Sequence, residues 1–195
     1  MDERDTSGEQ ALSLKQEGEV FGKFGLCQCP GKKLAMGRDG KSYDRNIYED
    51  VEQFNKSQGI SLIICLLNDS ELRHLGVQVK DYKQACETSG ITFYQYPIIE
   101  MAPPDDLILF KKEVVDVIIS HILTERDQCN VLIHCRGGVG RAGLVACCVL
   151  ATLCHFKSHT KIIELVRKRR DKRCVESRKQ EDFVKKYYEV IQQLV

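Results

Sequence analysis

The stretch from residue 131 to residue 150 constrains this chain more than any other. It begins with three apolar residues, continues through His134-Cys135 into a glycine-rich segment, and becomes a long apolar run after Arg141. This order predicts a buried strand, a tight loop and a buried helix. Glycines allow the backbone N–H groups of such a loop to converge, and the helix that starts near Arg141 adds the positive end of its dipole. The stretch therefore predicts a binding site for an oxyanion.

Cys135 is the candidate nucleophile at the base of this loop. Converging N–H groups and a helix N-terminus stabilise a thiolate, the reactive form of cysteine. Arg141 offers a planar guanidinium that can bind two oxygens of one phosphate group. The alternative is that Cys135 is a core cysteine and the glycines only form a turn. A preceding histidine, three glycines within five positions and a following arginine favour the anion site.

The spacing His-Cys-x5-Arg resembles that of the cysteine-dependent protein phosphatases. In that resemblance, Cys135 corresponds to the cysteine of the family motif and Arg141 to its arginine. The wider pattern is similar to the small dual-specificity phosphatases, and within them to the cyclin-dependent-kinase-associated phosphatases. The motifs that carry this resemblance occur in one order over about residues 20 to 190: Gly25-Leu-Cys…Pro-Gly31, Ser70-Glu-Leu, Pro-Ile-x-acid-x-x-x-Pro-Asp and the Cys135 loop. The resemblance implies hydrolysis of phosphate monoesters on phosphoserine, phosphothreonine and phosphotyrosine through a phosphocysteine intermediate. It also makes a cyclin-dependent kinase a candidate phosphoprotein partner.

The mechanism expected from these residues is a two-step displacement. Cys135 attacks phosphorus, while Arg141 and the loop N–H groups hold the equatorial oxygens. His134 is expected to orient the loop and tune the thiol, with a plain core histidine as the alternative. No metal or cofactor is expected, because protein donors alone hold the anion. The substrate-binding loop residues are Arg136, Gly137, Gly138, Val139, Gly140 and Arg141.

The leaving oxygen needs a proton, and the candidate acids lie in the loop from Pro97 to Asp106. In the similar phosphatases the first acidic position of this loop is an aspartate that serves as general acid, and here that position is Glu100. Asp105 is the second candidate, and a third possibility is that neither residue is the acid. Asp105 and Asp106 have the alternative role of capping the helix that follows.

Ala142 departs from the family pattern. The position after the arginine usually carries serine or threonine, whose hydroxyl helps stabilise the departing thiolate when water hydrolyses the phosphocysteine. Alanine lacks that hydroxyl, although the regenerating-liver type phosphatases also have alanine there. We therefore expect a slow second step and accumulation of the phosphoenzyme.

Strands alternating with helices predict an α/β fold, a mainly parallel sheet flanked by helices, with Cys135 at the carboxyl end of a central strand. Residues 1–19 are predicted as a flexible tail and residues 20–195 as one phosphatase domain. Predicted strands cover 20–29, 60–67, 91–96 and 130–133; predicted helices cover about 47–58, 69–75, 79–89, 105–123, 144–156, 160–170 and 178–194.

Composition excludes several other classes of protein. The chain has 195 residues, enough for one core, and its net charge of +1 argues against general binding to nucleic acid or a membrane surface. No apolar run is long enough to span a bilayer, and the polar N-terminus does not look like a secretory signal. The ten cysteines lie mostly in apolar runs and are expected to be reduced. We expect a cytoplasmic or nuclear monomer.

Three further motifs remain open at this point. The segment from Ala35 to Ser42 loosely fits a nucleotide-triphosphate loop, with a solvated loop as the alternative. The basic run from Arg167 to Arg173 is either a docking or nuclear-address segment or a helix end with solvated cations. Cys65, Cys147 and Cys148 are either redox partners of Cys135 or small core residues.

Two other functions compete with a protein phosphatase. One is a phosphate-binding interaction module with weakened catalysis, for which Ala142 and Glu100 would be the signs. The other is a lipid phosphatase or an RNA 5′-phosphatase on the same scaffold. The presence of both Cys135 and Arg141 favours an enzyme. The loop also lacks the lysines that lipid-directed relatives carry, which favours a protein substrate.

Overall fold

The computed structural model describes residues 12–16, 19–124 and 129–194. Its strands are β1 (Leu12–Gln16), β2 (Glu19–Cys27), β3 (Lys33–Leu34), β4 (Tyr43–Asp44), β5 (Ile60–Cys65), β6 (Thr92–Gln95) and β7 (Asn130–His134). Its helices are α1 (Ile47–Gln58), α2 (Asp69–His74), α3 (Val79–Thr88), α4 (Leu107–Phe110), α5 (Asp116–Ile122), α6 (Gly140–Leu153), α7 (His159–Arg169) and α8 (Arg178–Leu194), with a π-helical turn at Lys111–Val115 between α4 and α5.

The main sheet has five strands in the order β1-β2-β7-β5-β6. The pairs β2/β7, β7/β5 and β5/β6 are parallel, and only the edge pair β1/β2 is antiparallel within this sheet. Strands β5 and β7 are almost entirely buried, because their near-continuous apolar runs are covered on both faces. The predicted α/β fold with a mainly parallel sheet and flanking helices is confirmed.

Helix α6 lies at the centre of the core. It contacts β2, β7, α7 and α8, and its residues are buried from Gly140 to Ala151. A helix that is apolar on all sides needs such a complete covering. The start of α6 is thereby fixed next to the end of the central strand β7.

Local signals in the sequence set several helix ends. Asn68 and Glu71 form a capping box at the start of α2, in which each side chain accepts a hydrogen bond from the other residue's backbone N–H. Gly59 ends α1 with φ of 61°, a left-handed conformation that favours glycine. Asp106 caps α4 by accepting a hydrogen bond from the N–H of Leu109 at 2.9 Å.

The segment before residue 20 differs from the sequence prediction, and residues 35–42 match one of the two alternatives left open for them. Strand β1 lies within residues 1–19, which were expected to form a tail; the alternation of Leu12 and Leu14 with polar residues suits an edge strand that pairs with β2. Residues 1–11 and 17–18 of that segment lie outside the described residues. Residues 35–42 connect β3 to β4 in a hairpin and are mostly exposed, which matches the alternative of a solvated loop. A nucleotide-triphosphate loop would instead join a strand to a helix.

No helix in the described part of the chain is both long and apolar enough to cross a membrane.

Candidate active site

The candidate site is built on the five-residue loop that joins β7 to α6. Cys135 is the first residue of this loop and is only 4% exposed. Gly138 has φ of +67°, and a side chain there would collide with the carbonyl oxygen of Cys27. Arg170 fixes the same glycine by donating a hydrogen bond from Nε to its carbonyl oxygen at 3.1 Å. The loop is therefore a rigid element that requires glycine at this position.

Arg141 lies in the first turn of α6 and is 3% exposed. Its Nη1 donates to Glu71 Oε1 at 2.8 Å, to the carbonyl oxygen of Ile98 at 2.8 Å and to that of Leu66 at 3.4 Å. Its Nε and Nη2 have no hydrogen-bond partner among the described residues, and the side chain lines the cleft that contains Cys135. One edge of the guanidinium is thus anchored, while the other is available to an oxyanion.

His134 is fully buried beneath the loop. Its Nε2 lies 3.0 Å from the hydroxyl of Tyr82, and its Nδ1 lies 3.4 Å from the carbonyl oxygen of Cys135. Burial lowers the pKa of His134 to about 4, so the ring is neutral at neutral pH. A neutral, buried imidazole with partners on both nitrogens supports the loop and is not available to exchange protons with a substrate.

Glu100 lines the same cleft as Cys135 and is paired with Arg38. The two guanidinium amino groups donate to the two carboxylate oxygens at 2.8 and 3.2 Å. This hydrogen-bonded pair lowers the pKa of Glu100, despite an opposing contribution from partial burial. Arg38 comes from the hairpin between β3 and β4, which is distant from Glu100 in the sequence.

The other two candidate acids are placed differently. Asp105 and Asp106 are exposed and are not among the residues that line the Cys135 cleft. Asp106 caps α4, as its alternative role predicted. The structure thus brings Glu100, and not Asp105, into the cleft with Cys135 and Arg141.

Two residues next to the cleft have strained backbones. Met101 and Val175 have φ of 63° and 60°, which is unusual for side chains with a Cβ atom. Hydrogen bonds join the two loops, because Ser177 Oγ donates to the carbonyl oxygen of Met101 at 2.7 Å. Buried Gln180 holds the second loop by accepting from the N–H of Glu176 at 2.9 Å. Strain of this kind persists where the surrounding structure holds it, often at functional sites.

The cleft is rich in charged side chains of both signs. Its cations are Lys32, Arg38, Arg136, Arg141 and Arg173, and its carboxylates are Asp39, Glu100 and Glu176. The remaining lining residues are Gln28, Leu34, Tyr43, Met101, Cys135, Gly137, Val139 and Gly140. An excess of cations around a glycine-rich loop suits a phosphate group.

The basic run 167–173 is largely used inside the domain. Arg167 donates to the carbonyl oxygens of Cys174 and Val175 and to Glu181, while Arg173 pairs with Asp171 at 2.9 Å. The run therefore stabilises the loop around Cys174 and Val175, which leads to Glu176 in the cleft. Lys168, Arg169, Lys172 and Arg173 are the exposed members of the run, and of these Arg173 is paired with Asp171. Lys168, Arg169 and Lys172 remain for contacts with a partner.

The cysteines proposed as redox partners are buried thiols. Burial raises the pKa of Cys65 to about 12 and raises the pKa of Cys147 and Cys148 well above the ordinary range. None of the ten cysteines forms a disulfide. Protonated, inaccessible thiols fit the alternative role of small core residues.

Sequence reasoning missed four residues that contribute to this site. Glu71 was noted only in a turn motif, and Tyr82 only as an apolar helix position, yet they contact Arg141 and His134. Lys32 and Arg38 lie near the hairpin that was considered for nucleotide binding. Arg38 and Glu100, like Arg141 and Glu71, are far apart in the sequence. No periodic pattern marks such pairs, so only the fold brings them together.

The comparisons with known proteins agree with this geometry. The model of the Swiss Army Knife DSP-PTPase phosphatase domain, PTP-SAK, matches residues 41–184. Cyclin-dependent kinase inhibitor 3 of Homo sapiens is 31% identical over 165 residues, which cover 84% of this chain and 71% of that protein. A crystal structure of kinase associated phosphatase, with serine in place of its catalytic-site cysteine, has a TM-score of 0.76 at 25% identity and covers 96% of this chain and 98% of its own. The structure of PTPMT1 in complex with PI(5)P shares the fold, with a TM-score of 0.66 at 16% identity over 88% of this chain and 93% of that one.

The sheet topology and the loop between β7 and α6 are those of the cysteine-dependent phosphatases. Within that class, the family match and the human relative show that this chain belongs to the dual-specificity phosphatases. It is a phosphoric monoester hydrolase that dephosphorylates phosphoproteins.

Proposed function

We propose that the chain hydrolyses phosphothreonine, phosphoserine and phosphotyrosine esters through a phosphocysteine on Cys135, with Glu100 as the general acid. The observation that carries this proposal is that Cys135, Arg141 and Glu100 line one cleft although Glu100 comes from a different loop, the one that follows β6. The competing candidate acid, Asp105, lies outside that lining.

In the first step, the Cys135 thiolate attacks phosphorus and the bond to the leaving oxygen breaks. Nε and Nη2 of Arg141, together with the N–H groups of residues 136–141, hold the three equatorial oxygens as their charge increases. Glu100 transfers its proton to the leaving oxygen. Since Arg38 favours the ionised form of Glu100, the negative charge of bound phosphate is needed to offset Arg38 and keep the carboxyl protonated.

In the second step, water attacks the phosphocysteine and the thiolate leaves. Glu100, now ionised, accepts the proton of the water. Ala142 is fully buried in the first turn of α6 and supplies no hydroxyl to the departing sulfur. We expect a burst of product under rapid mixing, with an amplitude close to one per enzyme, followed by slower turnover.

The protein substrate proposed here is a cyclin-dependent kinase, and the enzyme is proposed to act as a monomer in the cytoplasm or nucleus. The support for the kinase is the similarity to cyclin-dependent kinase inhibitor 3 over most of the chain. A phosphate-binding module without catalysis is disfavoured, because the cleft retains the nucleophile, the arginine and a carboxyl group together.

The test is phosphate release from p-nitrophenyl phosphate and from a phosphothreonine peptide. We expect Cys135→Ser to lower kcat/KM by about 10³-fold or more, because it removes the nucleophile. Glu100→Gln should lower kcat/KM for the peptide by about 10²-fold, the usual contribution of a general acid. Asp105→Asn is the matched control and should retain wild-type activity.

Two results would contradict this mechanism. A large loss in Asp105→Asn with little loss in Glu100→Gln would move the acid to Asp105. Wild-type protein that binds the phosphopeptide but releases no more phosphate than Cys135→Ser would be a phosphate-binding module.

A further inference from the structure

The loop that carries Glu100 has little packing of its own. Ile99 and Met101, on either side of Glu100, are 71% and 49% exposed. Before them, Ile98 is buried, and its carbonyl oxygen accepts a hydrogen bond from Nη1 of Arg141 at 2.8 Å. Exposed segments with few apolar contacts open easily unless hydrogen bonds hold them. The position of Glu100 therefore depends on what holds the backbone that follows it.

Helix α8 begins with a capping box formed by Ser177 and Gln180. Oγ of Ser177, the residue before the helix, accepts a hydrogen bond from the backbone N–H of Gln180 at 3.2 Å. Oε1 of Gln180 accepts in return from the N–H of Ser177 at 3.4 Å and from that of Glu176 at 2.9 Å. Such a reciprocal arrangement satisfies N–H groups that have no partner inside the helix. It uses only the acceptor groups of the two side chains.

The donor groups of the same two side chains bind the loop that carries Glu100. Ser177 Oγ donates to the carbonyl oxygen of Met101 at 2.7 Å, and Gln180 Nε2 donates to that of Ala102 at 3.4 Å. A serine hydroxyl has a single hydrogen to donate, and in Ser177 that hydrogen is committed to Met101. Gln180 is fully buried, so its amide has no water to replace these partners. The start of α8 is thus joined to the two residues that directly follow Glu100.

The bond from Ser177 reaches the loop at its strained residue. Met101 has φ of 63°, a conformation that a residue with a Cβ atom keeps only where the surrounding structure holds it. Because the carbonyl group of Met101 is the acceptor, the bond from Ser177 favours this conformation. Met101 follows Glu100 directly in the chain. A change in its backbone angles would therefore move the Glu100 carboxyl group relative to Cys135.

We propose that Ser177, supported by Gln180, positions Glu100 for proton transfer to the leaving oxygen. Neither Ser177 nor Gln180 lines the cleft, so both act through the backbone of the Glu100 loop. The exposed ion pair with Arg38 holds only the carboxylate end of Glu100, whereas the bonds from α8 hold the main chain beside it. This assignment rests on the function proposed above, in which Glu100 is the general acid. Misplacement of a catalytic group by about 1 Å can cost about 10²-fold in rate.

Ser177→Asp separates the capping role of this residue from its positioning role. Aspartate caps a helix as well as serine does, so the start of α8 is retained. An ionised carboxylate has no hydrogen to donate to the carbonyl oxygen of Met101. We expect kcat/KM for a phosphothreonine peptide to fall about tenfold, because the acid is displaced from the leaving oxygen. The value for p-nitrophenyl phosphate should fall less than about twofold, because p-nitrophenolate is a weak base that leaves with little help from an acid.

Two variants are the controls. Ser177→Thr keeps the hydroxyl group and should retain wild-type kcat/KM on both substrates. Ser158→Asp makes the same substitution at the residue before α7, outside the cleft, and should also leave both values unchanged. Thermal unfolding of each variant checks that the domain is folded.

A double-mutant cycle tests whether Ser177 acts through Glu100. Once Glu100→Gln has removed the acid, the position of that side chain no longer affects the proton transfer. Ser177→Asp in the Glu100→Gln background should therefore cause no further loss of kcat/KM on the peptide. Losses that multiply would show that Ser177 acts on another part of the site and would overturn the assignment.

The outcomes also separate this inference from the proposed function. Equal losses on the two substrates, or wild-type activity of Ser177→Asp on the peptide, would refute the positioning role while the phosphatase mechanism stands. Wild-type activity of Glu100→Gln on the peptide would instead show that Glu100 is not the general acid, and would overturn both.

Discussion

The two sides of the cleft are held together in different ways. On the Cys135 side, Arg141 and His134 are buried and each has several fixed partners inside the domain. On the opposite side, Arg38 and Glu100 meet in an ion pair whose side chains are 69% and 38% exposed. Buried networks hold one geometry because unpaired groups are costly there, whereas an exposed pair is weak and can be exchanged for a ligand. The side chains on the cysteine side are therefore held in one geometry, which suits catalysis. The ion pair on the opposite side can open, which allows different substrates to bind.

The largest effect should come from the fixed side, at Arg141. Arg141→Lys keeps a positive charge but loses the planar group that has one edge on Glu71 and Ile98 and the other edge toward the cleft. We expect kcat/KM for p-nitrophenyl phosphate to fall by about 10²-fold to 10³-fold, as when one oxyanion donor is removed. Arg45→Lys, at an ion pair with Asp50 outside the cleft, is the control and should stay near wild type. Equal activity of the two variants would show that charge alone is sufficient.

Glu71→Gln tests how much the ion pair between Glu71 and buried Arg141 contributes to the stability of the domain. Glutamine can retain the capping box with Asn68 but leaves the buried guanidinium without its carboxylate. We expect a loss of about 2 to 3 kcal/mol in the free energy of unfolding, measured with urea. Glu52→Gln removes the same charge from an exposed pair with Lys56 and should cost less than about 0.5 kcal/mol. Similar losses of unfolding free energy in the two variants would show that the buried pair of Arg141 is no more stabilising than an exposed pair.

The neutral state of His134 predicts a pH dependence of stability. Its pKa is about 4 in the folded protein and about 6.5 when unfolded, so the unfolded chain binds a proton first as the pH falls. The contribution is fully present above about pH 6.5 and is lost between about pH 6.5 and 4. We expect His134 to account for about 2 kcal/mol of the stability lost between pH 7 and pH 5.

Urea unfolding at the two pH values measures this effect in wild type and in two variants. His134→Gln should lose less stability on acidification than wild type, whereas His74→Gln, at an exposed histidine, should lose as much. An unchanged pH dependence in His134→Gln would mean that the buried imidazole is not the group that titrates.

The smallest effect on stability should come from the exposed side, at Arg38. Arg38→Met should change the free energy of unfolding by less than about 0.5 kcal/mol. Because Arg38 lowers the pKa of Glu100, its removal should raise that pKa, so the protonated acid persists to higher pH. The descending limb of kcat/KM against pH should therefore move to higher pH. Lys41→Met, in the same hairpin, should leave the profile unchanged, and a shift toward lower pH in Arg38→Met would contradict the assignment of Glu100.

Much of the fold could be predicted because its signals are local. The helix that ends at Gly59, the Asn68 cap and the apolar runs of β5 and β7 each depend on a few neighbouring residues. Strand β1 was missed because its mixed composition resembles a tail, and its structure depends on pairing with β2. The π-helical turn at Lys111–Val115 left no separate signal in a helix that was predicted as continuous.

The sequence by itself determined the loop from Cys135 to Arg141 and its place between a strand and a helix, because glycines, a cysteine and an arginine at fixed spacing define that chemistry locally. Only the tertiary structure decided which residues contact Arg141 and His134 next to the loop, and which residue pairs with Glu100 in the same cleft. Glu71 is 70 residues from Arg141, Tyr82 is 52 residues from His134, and Arg38 is 62 residues from Glu100. Contacts between such distant residues depend on how the sheet is ordered and covered, which no short pattern of residues records.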